Sequence, residues 1–276
     1  MQYININGQI VPAERTGVPI DNGAFRYGYG LFETMLVQDG HIMLQDHHMA
    51  RLLDGLQQLQ LTLPPHTTAD KLTNNILDTV RKNQLQRLCR VRLQVYAGGG
   101  GLYGQDVAKA GYMIECFALN EEATLYNENG LQLGIAEGIA KSNDALANLK
   151  SSNALIYAIA ARQAKANKWN DALVPNTGGK IIESTIANIF WVKDNVIYTP
   201  PLSEGCIAGV MRQYVMEHAE VREHPLTEEV LIQADEVFLT NAIKRIKWVA
   251  QIADKQYTNT TSRRLAHQLF NDTNHY

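Results

Sequence analysis

The chain has 276 residues, of which 45% are hydrophobic and 19% charged, with a formal net charge of -3. This is apolar material for one large or two modest cores, and it excludes a disordered or collagen-like chain. The near-neutral balance, with no basic stripe, argues against a nucleic-acid partner. The opening stretch MQYININGQIVPAERTG lacks a charged segment followed by an apolar run, so no signal peptide is expected. No apolar run reaches the ~20 residues that span a bilayer, so no membrane partner is expected. Cys89, Cys116 and Cys206 are spaced neither for zinc nor for a disulfide framework, and no metal site is expected. Their odd number leaves one thiol unpaired within the monomer, which points to a reducing cytoplasm.

YININGQIVP alternates apolar and polar residues around an Asn7-Gly8 turn and predicts a strand pair. The Gly-rich DNGAFRYGYGLFETMLVQDGHIM follows, with a second strand pair turning at Asp39-Gly40. HHMARLLDGLQQLQL carries Leu52, Leu53, Leu56 and Leu59 at helical spacing, and a second helix spans about Ala69 to Asn83, with Leu72, Ile76, Leu77 and Val80 apolar. CRVRLQVYAGGGG reads as a strand running into four glycines, and the polar FALNEEATLYNENG reads as a linker. The pattern then restarts. GLQLGIAEGI is strand-like, and LKSSNALIYAIAARQAKANK is a helix with Ala154, Leu155, Ala158, Ile159 and Ala161 apolar. IANIFWVKDNVIYTPP is a hairpin turning at Asp194-Asn195, GVMRQYVMEHA a helix and DEVFLTNA a short strand. The expected organisation is an α+β domain over residues 1–118, a linker over 119–128 and a larger domain over 129–276, meeting at a cleft.

Four places could carry chemistry. Lys150, in ANLKSSN, sits where a loop meets a helix among apolar Leu146, Ala147 and Leu149; such surroundings favour a neutral amine, which attacks aldehydes. Glu183 stands in an apolar, β-rich stretch, where a carboxylate can pair with a protonated ring nitrogen. Gly205 and Gly209 bracket a loop before a helix, whose first amides, on Val210 and Met211, would face an anion. Arg51 suits bidentate phosphate contact. His47 and His48 precede it about 100° apart around the helix, so they read as surface or capping residues and not as a metal pair. Taken singly, each of the four is also what an ordinary surface charge or loop junction looks like.

Their order is more specific. RYGYGLFETM, the HHMARL helix, the lysine of LKSSN, ESTIANIFWV, EGCIAGVMR and EVFLTNA follow one another as in the fold-type-IV pyridoxal 5′-phosphate (PLP) enzymes, which the chain resembles from about Ile4 to Trp248. These are the class-IV aminotransferases: branched-chain and D-amino-acid aminotransferases and 4-amino-4-deoxychorismate lyases. The resemblance implies a two-domain α+β / α/β chain with the D-amino-acid-aminotransferase-like PLP fold and a larger, cofactor-binding second domain. It implies PLP held by Lys150 as a Schiff base, the ring nitrogen on Glu183, and the phosphate on Arg51 and the amides of Val210 and Met211. It assigns Thr240, Asn241 and Ala242 to a loop closing over phosphate and substrate carboxylate. A homodimer acting on a small amino-carboxylate substrate is implied as well.

The member of the family stays open. Leu155 stands where branched-chain enzymes carry a tyrosine reaching the cofactor O3′; Asn153, which resembles both the lyases and the D-amino-acid aminotransferases, could serve with its amide instead. Asn241-Ala242 replaces a Gly-Thr-Ala loop, which also resembles the lyases. Against the lyase, Leu102 stands where an arginine is expected, while Arg92 falls near a substrate-carboxylate arginine of branched-chain enzymes. Phe32 replaces a tyrosine of the D-amino-acid enzymes, and Thr34 could hydrogen-bond near the lysine. The expected activity is amino transfer to a 2-oxo acid. The lyase, which releases 4-aminobenzoate and pyruvate, is nearly level with it, and a non-enzymatic scaffold is a remote third reading.

Overall fold

The computed structural model describes residues 1–15, 17, 19–99 and 109–270, and the chain groups into two compact units. The first comprises Met1–Ala123 together with Lys150–Asn153; the second comprises Thr124–Leu149 and Ala154–Tyr276. The short stretch that begins at Lys150 therefore leaves the second half of the sequence and joins the first unit, which no composition shift foretells.

The first unit contains β1 (Tyr3–Ile6), β2 (Gln9–Pro12), α1 (Gly23–Tyr27), β3 (Gly30–Gln38), β4 (His41–Ile42), α2 (Gln45–Gln58), α3 (Ala69–Lys82), β5 (Leu88–Ala97) and β6 (Ala110–Ala118). Its six-stranded sheet runs β2-β1-β6-β5-β3-β4, with every pairing antiparallel. Asn7-Gly8 and Asp39-Gly40 adopt positive φ at both positions, the geometry a two-residue hairpin turn demands. Helices α2 and α3 pack on this sheet. Leu52, Leu56, Leu72, Ile76 and Val80 are buried on their inner faces. Burial of each such side chain contributes about 1.5–3 kcal/mol. Leu53, which shares the helical spacing, is 44% exposed and lies off that face. Thr68 caps α3, its hydroxyl accepting from the Lys71 N–H at 3.2 Å.

The second unit contains β7 (Leu131–Ile135), α4 (Leu155–Ala166), β8 (Asp171–Pro175), β9 (Ile181–Ser184), β10 (Asn188–Lys193), β11 (Val196–Thr199), α5 (Val210–His218), β12 (Val221–Glu223), α6 (Glu228–Gln233), β13 (Glu236–Asn241), β14 (Arg245–Ile252), β15 (Lys255–Gln256) and α7 (Thr260–Phe270). Its sheet runs β12-β11-β10-β13-β14-β7-β8-β9 with β15 on β14, and β9 also pairs β10, so part of the strand path closes on itself. The closing register is Asn188 opposite Glu183. Leu133, Leu173, Ile189, Trp191, Leu239 and Val249 belong to its principal core. The Asp194-Asn195 turn has positive φ at both residues, as its composition predicts.

Helix α4 corrects one expectation. Its buried residues are Ala160 and Ala164, with Ile156 and Tyr157 packed beside them, whereas Leu155 is 69% exposed. Alanine on several sides of a helix gives no strong stripe, so periodicity chose the wrong face.

Candidate active site

The first unit carries Lys150. Ser151 bridges antiparallel to Leu31, the Phe32 N–H donates to the Lys150 carbonyl at 3.0 Å, and the Ser152 N–H donates to the Gly30 carbonyl at 2.8 Å. The Lys150–Ser152 backbone thus runs along the start of β3, where β4 does not reach. Of the three apolar neighbours, Ala147 and Leu149 are buried and Leu146 is exposed. Asn153 is exposed, and Gly28, at φ 68°, lies against its backbone; a Cβ there would stand 3.2 Å from the Asn153 Cα.

Alternation along β3 and β5 puts Phe32, Thr34, Arg92 and Gln94 on the partly exposed sheet face, while Leu31, Glu33, Val91 and Leu93 are buried. Phe32 pairs with Gln94, and Thr34 with Arg92. The Lys150 Nζ lies 4.4 Å from the Phe32 ring centroid and the Arg92 guanidinium 3.9 Å from it. Gln94 links these groups: its Oε1 accepts from Arg92 at 2.7 Å, and its Nε2 donates to the Leu31 carbonyl at 3.0 Å and to the Ser152 hydroxyl at 2.7 Å. The position of Leu102 lies outside the described residues.

Behind this face, Arg51 is not the exposed helix charge its sequence setting allows. Its Nε donates to Glu33 Oε1 at 2.8 Å and its Nη2 to Oε2 at 2.5 Å, so a carboxylate of the chain itself takes that side of the guanidinium fork. His48, expected at the surface or as a cap, is fully buried, with its Nδ1 2.6 Å from Glu33 Oε2. Burial works to raise the Glu33 pKa, but Arg51 and His48 outweigh it and hold the carboxyl at about 2. Burial also pushes His48 below its ordinary range, against the hydrogen bond it makes to Glu33. The Glu33 role went unnoticed in the sequence, and His48 was placed on the wrong side of its helix. Glu33 shares the strand phase of buried Leu31 and Met35, and a charge in that phase requires partners.

The pH dependence follows. The stability contributed by Glu33 is fully present above its ordinary value of 4.5 and is lost as pH falls toward 2. The shift corresponds to about 3 kcal/mol. Neutral, buried His48 acts with the same sign, losing stability as pH falls through the ordinary histidine range. The stability gap between the native chain and Glu33→Gln should therefore narrow in denaturant titrations taken from pH 5 to pH 2. A constant gap would contradict the assignment.

The second unit carries Glu183, which is 3% exposed on β9. Lys141 Nζ donates to Oε1 at 2.8 Å, the Tyr157 hydroxyl donates to Oε1 at 2.6 Å, and the Ile207 N–H donates to Oε2 at 3.0 Å. Lys141 and Tyr157 were also missed. Tyr157 shares the phase of Ala160 and Ala164, and a hydroxyl on a buried stripe needs an acceptor. Nothing local marks Lys141.

Val210 and Met211 form the first turn of α5, and both are buried. Its cap residue, Gly209, supplies no side chain, so the first amides have no side-chain acceptor from the cap. A Cβ on Gly209 would come 1.8 Å from the Asn188 Oδ1, while the Asn188 Nδ2 donates to the Ile207 carbonyl at 2.9 Å. Gly205, at φ 92°, turns the preceding loop. Asn188 pairs with Thr240 across β10 and β13, and the Thr240 Oγ1 is buried without a hydrogen-bond partner. Here the strand read from DEVFLTNA holds, and the loop implied by the resemblance starts only at its end. Thr240 and Asn241 belong to strand β13, and Ala242 begins the turn after it. The Asn241 Oδ1 accepts from the Ile243 and Lys244 N–H groups at 3.0 and 2.7 Å, which makes it a turn anchor.

The sequence profile of the family described as amino-transferase class IV matches residues 30–252. The chain belongs to the class IV aminotransferase family. An aminodeoxychorismate lyase of Vibrio harveyi is 28% identical over 246 residues, covering 87% of this chain and 89% of the relative. The crystal structure of a branched-chain amino acid aminotransferase of Escherichia coli superposes with a TM-score of 0.87 at 25% identity, covering 98% of this chain and 94% of that one. A branched-chain aminotransferase of the thermophilic archaeon Thermoproteus uzoniensis, crystallised with norvaline, has the same fold, at TM-score 0.86 and 23% identity over 97% and 93% of the two chains. The class IV fold, and membership of a family of PLP-dependent aminotransferases and lyases, thus stand as the sequence motifs implied.

The second unit of this class IV family member fits such a cofactor on three counts. Glu183 Oε1 takes two donors and Oε2 one, which leaves acceptor capacity on Oε2. The Thr240 hydroxyl is buried and unsatisfied. The glycine-capped start of α5 offers amides to an anion, in a space that a Cβ would fill.

Proposed function

We propose that the chain is a PLP-dependent transaminase that moves the amino group of a small, branched-chain-like amino acid to a 2-oxo acid. Bound PLP supplies an electron sink for the pair released when a proton leaves the carbon bearing the amino group. Lys150 provides the amine that carries the cofactor and, once displaced, moves that proton. Glu183 faces the ring nitrogen, and Asn153 serves the ring hydroxyl. Val210, Met211, Arg51 and Thr240 hold the phosphate, with Asn241 shaping the turn beside it. Arg92 anchors the substrate carboxylate, and Phe32, Thr34 and Ala242 line its space. A cytoplasmic homodimer completes the reading.

The observation that carries the amino-transfer reading is the Phe32 ring, touched by both the Lys150 amine and the Arg92 guanidinium. A guanidinium and an amine on one ring support this reading, since an amino-acid substrate needs a carboxylate partner near the reacting nitrogen. A second reading, 4-amino-4-deoxychorismate lyase, is supported by Leu155: exposed and without a hydroxyl, it cannot fill the tyrosine's place in branched-chain enzymes. The test offers branched-chain and D-amino acids with 2-oxoglutarate and, separately, 4-amino-4-deoxychorismate. Glutamate formation from branched-chain donors supports the transaminase, and pyruvate without an amino acceptor establishes the lyase instead.

Gly209→Ala should weaken PLP affinity by about tenfold or more, since the new methyl displaces either Asn188 or the amides of α5. Reconstitution followed by absorbance measures this. An unchanged affinity would remove the α5 terminus from the phosphate site.

A further inference from the structure

We infer that Lys141 is a positioning residue and a resident counter-charge for Glu183, tempering its pairing with the cofactor's ring nitrogen; the inference rests on the PLP reading above. The ammonium donates to Glu183 Oε1 at 2.8 Å, with the two side chains only 11% and 4% exposed. Lys141 also lies 5.4 Å from the Tyr157 ring centroid, and the Tyr157 hydroxyl donates to the same Oε1. Its backbone is fixed independently, since the Lys141 N–H donates to the Pro175 carbonyl at 2.9 Å and its carbonyl accepts from the Thr177 N–H at 3.0 Å.

Two consequences follow from placing one cation on Oε1 of a buried carboxylate. Before any ligand arrives, Lys141 compensates a charge that would otherwise stand buried and unpaired. When a protonated ring nitrogen approaches Oε2, two cations share one carboxylate, and their mutual repulsion reduces the pull on the ring proton. Tyr157 and the Ile207 N–H hold the carboxylate's orientation without Lys141. Removing the ammonium therefore deletes mainly the competing charge. The ring nitrogen then becomes the principal partner of Glu183, and binding depends on it more strongly.

The test compares PLP with its 1-deaza analogue, in which a C–H replaces the ring nitrogen. Both are titrated into the cofactor-stripped full chain, in native form and as Lys141→Met, Lys141→Gln and Lys141→Arg. In Lys141→Met and Lys141→Gln, the preference for PLP over the analogue should rise about tenfold above native. In Lys141→Arg, which restores the charge, it should stay within about twofold of native. A merely structural role would move both affinities together and leave the ratio where it was. Lys141→Gln retains a hydrogen-bond donor and serves if Lys141→Met does not fold. An unchanged or lowered preference in the folded neutral variants overturns the inference alone, provided the native chain forms a borohydride-reducible bond to PLP at Lys150. Absence of that bond in the native chain overturns the cofactor reading and the inference with it.

Discussion

Lys150→Ala should abolish turnover, lowering kcat by about three orders of magnitude or more, because one amine both carries the cofactor and moves the proton. The fold should survive. The Lys150 backbone is held by the Phe32 N–H, and the side chain is only partly buried. Circular dichroism and the unfolding midpoint should be close to native, while the visible band of the PLP-loaded protein and its borohydride-trapped peptide disappear. Retained turnover, or a trapped peptide elsewhere in the chain, would refute the assignment. The substitution also separates chemistry from architecture, since Gln94 still bridges Arg92 to Ser152 and the Arg92–Phe32 contact stays in place.

The largest stability effect is expected from Glu33→Gln. The native carboxylate faces His48 and two nitrogens of Arg51 while only 1% exposed. A glutamine keeps the volume, but it turns an amide donor toward one of these groups and removes the negative charge that faces the guanidinium. Breaking a buried pair on one side costs about 3–5 kcal/mol. For a chain of this size the thermal midpoint should fall by roughly 10 °C. A loss under about 2 °C would show that solvent, rather than Glu33, satisfies Arg51. The same variant should bind PLP more weakly if Arg51 contacts the phosphate, since its guanidinium loses the partner that orients it.

The sequence made legible what is local. The Asn7-Gly8, Asp39-Gly40 and Asp194-Asn195 turns carry residues that tolerate positive φ, and each falls where a strand reverses. The stripes of α2 and α3 marked Leu52, Leu56, Leu72 and Ile76 as core, although Leu53 was counted with them wrongly. What failed was non-local. Lys141 meets Glu183 across 42 positions, and no periodicity links them. His48 looked like a surface residue because its carboxylate partner lies on another element. The DEVFLTNA strand was legible from its composition, and pairing with Asn188 and Ile246 carries it through Thr240, where the family resemblance implied a loop. The return of Lys150–Asn153 to the first unit involves a four-residue stretch held by one β-bridge and a few non-local contacts, too short a signal for any pattern.

The Ser151–Leu31 bridge has a consequence for how the protein is made. The start of β3 emerges from the ribosome more than a hundred residues ahead of the segment that covers its edge. Synthesis proceeds at about 5–20 residues per second, so for several seconds the nascent first unit carries an open strand margin of the kind that invites foreign pairing. A chain released before position 150 would keep that margin permanently. It would lack the reactive amine as well, so unfinished copies are both adhesive and inert.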